Sequence, residues 1–329
     1  MAGNLRFSVV VCAYTERRWD DLVAAVASLK AQTEPPHEII LSIDHNPALY
    51  ARAVAELPGT VCVENLGTQG LSDARNAGLA AATGDVIAFL DDDAVAEPGW
   101  LAVLAGGYAD LRVVGVGGFA EPAWEAGRPA WFPREFDWVV GCTYLGMPEA
   151  AAPVRNMVGC NMSFRRELFD GPEAVGGFNP GIGRLGTRPV GCEETELCIR
   201  VHQAHPEALI LFDPRGVVHH KVPASRGTWG YFRSRCYAEG LSKAAVSALV
   251  GSGQALEAER SYTTRTLPRG VVAGLADAAR GRPGGPRRAG AIVAGVSITA
   301  FGYALGRLAP RRFIGPAARR RPSPVVPAP

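Results

Sequence analysis

The sequence predicts an α/β fold built on a doubly wound sheet, and three observations carry that expectation. Phe7-Ser-Val-Val-Val-Cys-Ala13 is an unbroken, β-branched apolar run of the kind that forms strands buried on both faces. Further short apolar runs alternate with stretches of helical spacing, giving the order β-α-β-β-α-β up to Asp93. Polar residues then stand at the carboxyl ends of successive strands, where open α/β sheets hold their ligands. A chain of 329 residues, 47% apolar and 20% charged, can bury a full core and carry an appendage.

Taken in order, Tyr14-Thr15-Glu16 closes the first strand, and Leu22, Ala25, Val26 and Leu29 recur at helical spacing until Gln32 to Pro36 ends the helix. His37 to Ile43 forms a second strand with Asp44 at its end, and Val61 to Glu64 a third. Ser72 is placed as the N-cap, with Asp73 in the first turn, of a helix that runs to Thr83-Gly84. Val86 to Leu90 is a buried strand from which Asp91-Asp92-Asp93 emerge.

That triplet organises the chain. Adjacent carboxylates repel and raise one another's pKa, so a fold that keeps them supplies a cation. A hard divalent ion takes oxygen ligands and is readily shared with substrate phosphates, which makes a nucleoside diphosphate the natural third party. The plain alternative is a solvated acidic turn; the apolar strand ahead of it favours the cation.

Pro98-Gly99-Trp100-Leu101 opens a helix through Leu111, and Val113 to Val116 is another strand. Gly115-x-Gly117-x-x-Ala120 has the spacing of a dinucleotide fingerprint, but Glu121-Pro122 stands where a helix should open, which argues against that use. Residues 121 to 158 are rich in Pro, Trp and Phe without periodicity, as in a long functional loop over a site. Met157 to Arg165 is a Gly-broken apolar segment, and Gly176 to Val190 a glycine-rich loop. Glu193 and Glu194 lie at the amino end of a helix marked by Leu197, Val201 and Ala204, where they are either ordinary caps or a retained base. Ala208 to Phe212 and Val217 to His220 are two further strands, the second ending in imidazoles, either of which can ligate metal beside the acidic triplet.

Charge is distributed unevenly. From Arg280 onward there are ten Arg and no Lys, Asp or Glu, and taking those ten from the net +2 leaves −8 on the first 279 residues. The basic tail suits an anionic surface, lipid or nucleic acid, or is a solvated disordered segment. Thr228 to Val250 is expected as helix, and Ala289 to Gly306 is free of charge between Arg287-Arg288 and Arg307. As a helix it would extend roughly 27 Å, just short of the roughly 30 Å hydrocarbon core. Interfacial association, a true span and packing on the domain all stay open, and Arg on both sides gives no orientation. Pro322 to Pro329 is expected to be disordered. Seven cysteines without a C-x-x-C pair suggest reduced thiols, and no signal peptide precedes Phe7, so the body is expected in the cytoplasm.

The order Val9-Val-Val-Cys-Ala-Tyr-Thr-Glu16, Asp44, Gly70-Leu-Ser-Asp-Ala-Arg75-Asn76-Ala-Gly78, Gly84-Asp85 to Asp93 and Glu193-Glu194 resembles family 2 glycosyltransferases of the GT-A fold, over roughly residues 7 to 225. The resemblance implies a GT-A type doubly wound mixed sheet with helices on both faces, followed here by a helical basic C-terminal extension. It divides the chain into a catalytic domain over 1–225, a helical extension over 226–279 and a basic Ala/Gly/Pro-rich tail over 280–329 whose helix 289–306 can meet a membrane.

It also implies roles. Ala13, Tyr14 and Glu16 would surround the nucleotide, Asp44 would accept from the base, and Arg75 would lie near the base or pyrophosphate. The D-x-D element maps onto Asp91, toward ribose, and Asp93, a ligand of Mg²⁺ or Mn²⁺, with Asp92 between them. His220, ahead of Pro223-Ala-Ser225, matches the family's late His better than His219, so the implied metal set is Asp91, Asp93 and His220. Glu193-Glu194 takes the place of the usual Glu-Asp pair, making Glu194 the base and leaving the reach of its extra methylene open.

The implied activity is an inverting, metal-dependent transfer of a hexosyl or deoxyhexosyl group from a nucleoside diphosphate sugar to a hydroxyl. The acceptor is expected to be a saccharide or lipid-linked glycan of cell-envelope polysaccharide synthesis. The implied location is the inner face of the cell membrane, peripheral, with an anionic membrane surface as partner and no nucleic acid. A sugar-1-phosphate nucleotidyltransferase would place a Gly-rich, basic loop directly after strand one, where this chain has Cys-Ala-Tyr-Thr-Glu. A nucleotide- or glycan-binding module without catalysis is the other alternative.

Overall fold

A computed structural model describes residues 5–180, 182, 191–251 and 261–308. At its centre is one mixed sheet of nine strands in the order β3-β2-β1-β4-β8-β6-β9-β5, with β7 paired to β9. The strands are β1 (Phe7–Ala13), β2 (Glu38–Asp44), β3 (Val61–Asn65), β4 (Val86–Asp91), β5 (Ala94–Ala96), β6 (Val113–Trp124), β7 (Ala152–Pro153), β8 (Asn161–Arg165) and β9 (Leu209–Val222). β1 to β4 are parallel, whereas β8 runs antiparallel between β4 and β6.

The β-branched run of β1 is buried along almost its whole length because helices cover both faces of the sheet. Val9, Val11, Leu22, Val26, Leu29 and Trp100 fill one layer; Val10, Ile40, Phe89, Phe164 and Leu197 fill the other. The alternation of Val9, Val10 and Val11 between the two clusters follows the period of two along a strand.

The helices are α1 (Trp19–Lys30), α2 (Pro47–Glu56), α3 (Leu71–Ala81), α4 (Trp100–Gly107), α5 (Glu167–Asp170), α6 (Glu193–Ala204), α7 (Trp229–Val250), α8 (Leu267–Ala279) and α9 (Gly285–Leu308). Several expectations change. α2 turns β-β into β-α-β, and its signal was local: Asn46 caps it by accepting from Leu49 N at 3.0 Å, with Pro47 at the first helical position. Gly70, not Ser72, is the N-cap of α3, because Ser72 Oγ points away from the helix end and donates to Ile182 O at 2.5 Å. The helix expected from Pro98 to Leu111 is the shorter α4.

The strands expected at 208–212 and 217–220 are one continuous β9, whose pairing with β6 shifts register between Gly118 and Phe119. β6 extends to Trp124, so the glycine motif lies inside a strand, and the expected loop begins only after it, with a 3-10 helix at Arg134–Val140. Most of the glycine-rich loop at 176–190 and the residues from 309 onward, including Pro322 to Pro329, lie outside the described residues.

α7, α8 and α9 close the strand ends. α9 lies so near α7 that a Cβ on Gly240 would stand 2.1 Å from Thr299 O, and one on Gly302 2.4 Å from Tyr237 O. Phe132, Phe136, Val140, Phe232, Leu267 and Ile292 form a third apolar cluster that joins these helices to the 3-10 segment. The charge-free stretch 289–306 therefore packs on its neighbours through Ala289, Ile292, Gly295, Gly302 and Gly306, while its Val293 and Phe301 face solvent, as does Leu308 beyond Arg307. By length and composition alone, α9 is long and apolar enough to cross a membrane.

Candidate active site

Strand register assembles the acidic end of the site. β4 delivers Asp91 at its carboxyl tip, and the chain turns through Asp92 and Asp93 into β5. β5 pairs antiparallel with β9 so that Ala94 faces His220, and Lys221 N donates to Asp93 O at 2.8 Å. His220 Nε2 thereby lies 3.3 Å from Asp93 Oδ1 and 3.9 Å from Asp91 Oδ2. Side chains alternate along a strand, so His219 faces the other way, toward Glu97 and Glu121 at 3.2 and 3.1 Å.

One donor atom from each of Asp91, Asp93 and His220 lies within 4.8 Å of the others. Two carboxylate oxygens and an imidazole nitrogen suit Mg²⁺ or Mn²⁺, with positions left for phosphate oxygens. His220 Nδ1 lies 3.7 Å from Cys142 Sγ, a contact that turns Nε2 toward the carboxylates.

Two cations that sequence reasoning missed attend this cluster. Arg18 Nη1 donates to Asp92 Oδ1 at 2.7 Å and lies 3.2 Å from Asp93 Oδ2, while Arg226 Nη2 stands 3.7 Å from the same Asp93 oxygen. The signal for Arg18 was its place two residues beyond Glu16; Arg226 had none, being over 130 residues from the triplet. Burial pushes Asp92 up to about 7 against the pull of Arg18, with Asp93 and Asp91 adding to the rise. Asp93, despite the cost of its own burial, is held well below the usual carboxylate range by His220, Arg18 and Arg226. Asp92 Oδ2 is buried with no hydrogen-bond partner.

The nucleotide-side candidates share the same edge. Ala13 is buried and Tyr14 is 55% exposed, with Arg18 5.7 Å from its ring centroid. Glu16 opens a 3-10 turn capped by Thr15. Asp44 accepts from Asn65 Nδ2 at 2.7 Å, Gly70 N at 3.0 Å and His45 Nδ1 at 2.9 Å, so its carboxylate also ties β2, β3 and α3 together.

Arg75 links the two acidic groups. It is 2% exposed, donates to Glu193 Oε1 at 2.8 Å and Gly159 O at 3.1 Å, and lies 3.6 Å from Asp91. Its guanidinium is 5.3 Å from the Phe178 ring centroid. It thus faces inward, between Asp91 and Glu193. α6 places Glu193 and Glu194 in its first turn, after Cys192 in the left-handed region at φ 71°. The helix end was expected to keep a carboxylate ionised there. Instead burial, then the adjacent Glu193, push Glu194 up to about 8, with Arg75 opposing. Arg75 is already committed to Glu193, and one helix dipole is too weak to offset desolvation.

Asp91, Asp93, His220, Arg75, Glu193 and Glu194 all line one cavity of about 410 Å³, the size of a small-molecule site. Its far wall is formed by Arg235, Glu239 and Lys243 of α7 and Val296, Ala300 and Tyr303 of α9, which sequence reasoning did not connect with the site. Such an arrangement can hold a cation and a phosphate at one end and place a carboxylate base against a hydroxyl at the other.

The family model described as Glycosyl transferase family 2 matches residues 8–171. The chain is 34% identical over 249 residues to the glucosyl-dolichyl phosphate glucuronosyltransferase of Haloferax volcanii, covering 74% of this chain and 78% of that one. It is 27% identical over 245 residues to the succinoglycan biosynthesis protein ExoM of Rhizobium meliloti, covering 72% and 74%. Among solved structures it is similar in fold to the mannosyltransferase PcManGT from Pyrobaculum calidifontis, in complex with GDP-Man and Mn²⁺. That match has a TM-score of 0.57 and 18% identity, over 92% of this chain and 87% of the other.

Proposed function

The chain belongs to glycosyltransferase family 2, and from that premise we propose that it transfers a sugar from a nucleoside diphosphate sugar to a hydroxyl acceptor with inversion at the anomeric carbon. The observation that carries this reading is Arg75, which spans the gap between Asp91 and Glu193 and so sets the cation end and the base end of one cavity at fixed separation.

Asp91, Asp93 and His220 are the residues that would hold Mg²⁺ or Mn²⁺. A divalent cation bound there neutralises charge on the departing nucleoside diphosphate. The rest falls to the chain's own side chains. Ala13, Tyr14, Glu16 and Asp44 take the nucleotide, with Asp91 toward ribose. Asp92 holds Arg18 over the phosphates, where a guanidinium pairs well with oxyanions. Glu193, bound to Arg75, orients the acceptor. Glu194 Oε takes the proton from the acceptor hydroxyl as that oxygen attacks the anomeric carbon and the bond to the diphosphate breaks. One displacement on one face inverts the centre.

A lipid-linked saccharide is the acceptor we favour. The Haloferax relative is named for a dolichyl phosphate-linked substrate, and the basic tail with the exposed apolar residues of α9 suits work at an anionic membrane surface from the cytoplasmic side. The test is Glu194→Gln. It should leave Mn²⁺-dependent nucleotide-sugar binding unchanged and lower turnover by about 10²- to 10⁴-fold. Turnover at the wild-type rate would remove Glu194 from its role.

A further inference from the structure

We propose that α8 and α9 form a docking face for an anionic bilayer, with α9 lying flat in the interface and not crossing it. The inference rests on the reading of a lipid-linked acceptor and adds to it the surface, the partner and the depth of contact.

The packing of α9 argues against a span. A Cβ on Gly240 of α7 would stand 2.1 Å from Thr299 O, and one on Gly306 2.6 Å from Ala244 Cβ, so the two helices touch at both points. Ala291 and Ile292 are each 2% exposed, in the apolar cluster that holds Phe136 and Phe232. Crossing a membrane would open this seam, or carry α7 with its Arg233, Arg235, Glu239 and Lys243 into hydrocarbon, where charged side chains are expensive.

What α8 and α9 leave uncovered is apolar along its middle and basic at its ends. Val272 and Leu275 of α8 are 65% and 56% exposed, and Val293 and Phe301 of α9 are 55% and 59% exposed. Arginines bracket both strips: exposed Arg269 and Arg280 at α8, exposed Arg287 and Arg307 at α9. Asp277, the one acid between 261 and 308, is already held by Arg282 at 3.2 Å and by Arg288. Seven arginines against that one aspartate leave this segment at +6, and residues 309–329 add five Arg and no acid, whereas the rest of the chain is net acidic. An anionic surface therefore attracts this end of the molecule and repels the other, which orients α8 and α9 toward lipid. Arginine stems lie along the acyl boundary while their guanidinium groups meet headgroup phosphates, and the apolar strips between them enter the interface. Ala300 is exposed and also lines the cavity, so the docked face reaches the cavity's edge. A lipid-borne acceptor then meets the site without leaving the bilayer surface.

The test is flotation of the full chain with vesicles of phosphatidylcholine alone or with about 30% phosphatidylglycerol. Partitioning should be at least about ten-fold stronger onto the anionic vesicles and should fall at least about ten-fold between about 0.1 and about 0.5 M salt. An arginine at an anionic surface contributes about five-fold, so the triple variant Arg269→Gln, Arg280→Gln, Arg287→Gln should lose at least about ten-fold with the tail intact. The double variant Val272→Ser, Leu275→Ser should also bind anionic vesicles more weakly. Both variants should keep Mn²⁺-dependent nucleotide affinity within two-fold, which shows them folded. Full retention on vesicles at the higher salt would mean that α9 spans, and would overturn its flat placement. A triple variant that binds like the wild type would put the attraction in the tail and overturn the docking face. A wild type that binds neither vesicle, and sediments as a dimer that the serine variant dissolves, would assign the face to a second copy instead. Transfer to a water-soluble acceptor, measured alongside, needs no membrane; its persistence separates each of these failures from failure of the transferase reading.

Discussion

The strand-end wall of the cavity and its helical wall are built by different means. At the strand ends, side chains are positioned by backbone pairing: Asp91 follows from the end of β4, and His220 reaches Asp93 because β5 and β9 pair in one register. Along α7 and α9, position depends on glycines that let two helices touch, at Gly240, Gly302 and Gly306. A sheet register has few neighbouring solutions, since a slip of one residue reverses every side chain. A helix seam tolerates small slides, so the first wall suits fixed chemistry and the second suits a substrate that must enter and leave.

The largest expected effect breaks the strand-end wall. Asp93→Ala removes the carboxylate on which His220, Arg18 and Arg226 converge. Turnover should fall by at least about 10³-fold, because a bound cation supplies several kcal/mol of charge stabilisation in reactions of this type. Mn²⁺ affinity, followed by electron paramagnetic resonance, should fall in parallel. A variant that keeps tight Mn²⁺ binding would mean that the ion sits elsewhere.

This wall is also the part most legible in the sequence. Asp91, Asp93, Glu193 and Glu194 each sit where a local pattern changes, at a strand end or a helix start, and such changes can be read without knowing the fold. From the residues alone His220 was one of two imidazoles; the family resemblance preferred it to His219, and the pairing of β5 with β9 is what turns it inward. Arg226, and Arg235 to Lys243, gave no signal, because a basic residue on a helix or turn looks the same whether it faces water or a cavity. α2 was missed differently: Asn46-Pro47 is a sound start signal, but Leu49 and Ala53 alone make too narrow an apolar face to stand out. The raised carboxyl of Glu194 could not be foreseen either, since Glu239 of α7, which adds to the rise, and Gly159, which lies close to its Oε2, are both far away in the chain.

A middle-sized effect is expected where the helices touch. In Gly240→Ala the new Cβ would stand 2.1 Å from Thr299 O and 2.6 Å from Tyr303 N, backbone atoms that can yield only if α9 moves. Overpacking at about 1–3 kcal/mol should outweigh the roughly 1 kcal/mol that alanine gains in helix propensity, measured by chemical denaturation. Nucleotide binding should stay within two-fold of wild type, while acceptor KM rises as the α9 wall shifts. Equal losses of nucleotide and acceptor would show that the two walls form one cooperative unit and that the contrast between them is false.

The last effect lies at the junction of the two walls, in the proton of Glu194. Its carboxyl ordinarily titrates near 4.5 and is pushed up to about 8 in the folded chain, first by burial and then by Glu193. Between those values the folded protein holds a proton that the unfolded chain has released. Stability therefore falls as pH rises through the window from about 4.5 to about 8, and the contribution is complete only below the lower value. Glu194→Gln has no such proton, so its Tm should gain on the wild type across that window and run parallel to it outside. Activity should move the opposite way, because only the deprotonated form accepts a proton from the acceptor: kcat/KM in the wild type should fall about ten-fold per pH unit below the folded pKa. Mn²⁺ bound without donor adds positive charge near Asp91, so it should lower the midpoint below that of the free protein, whereas the two negative charges of a nucleoside diphosphate sugar should return it toward the free value. If stability and turnover instead rise together with pH, the titrating group is not Glu194.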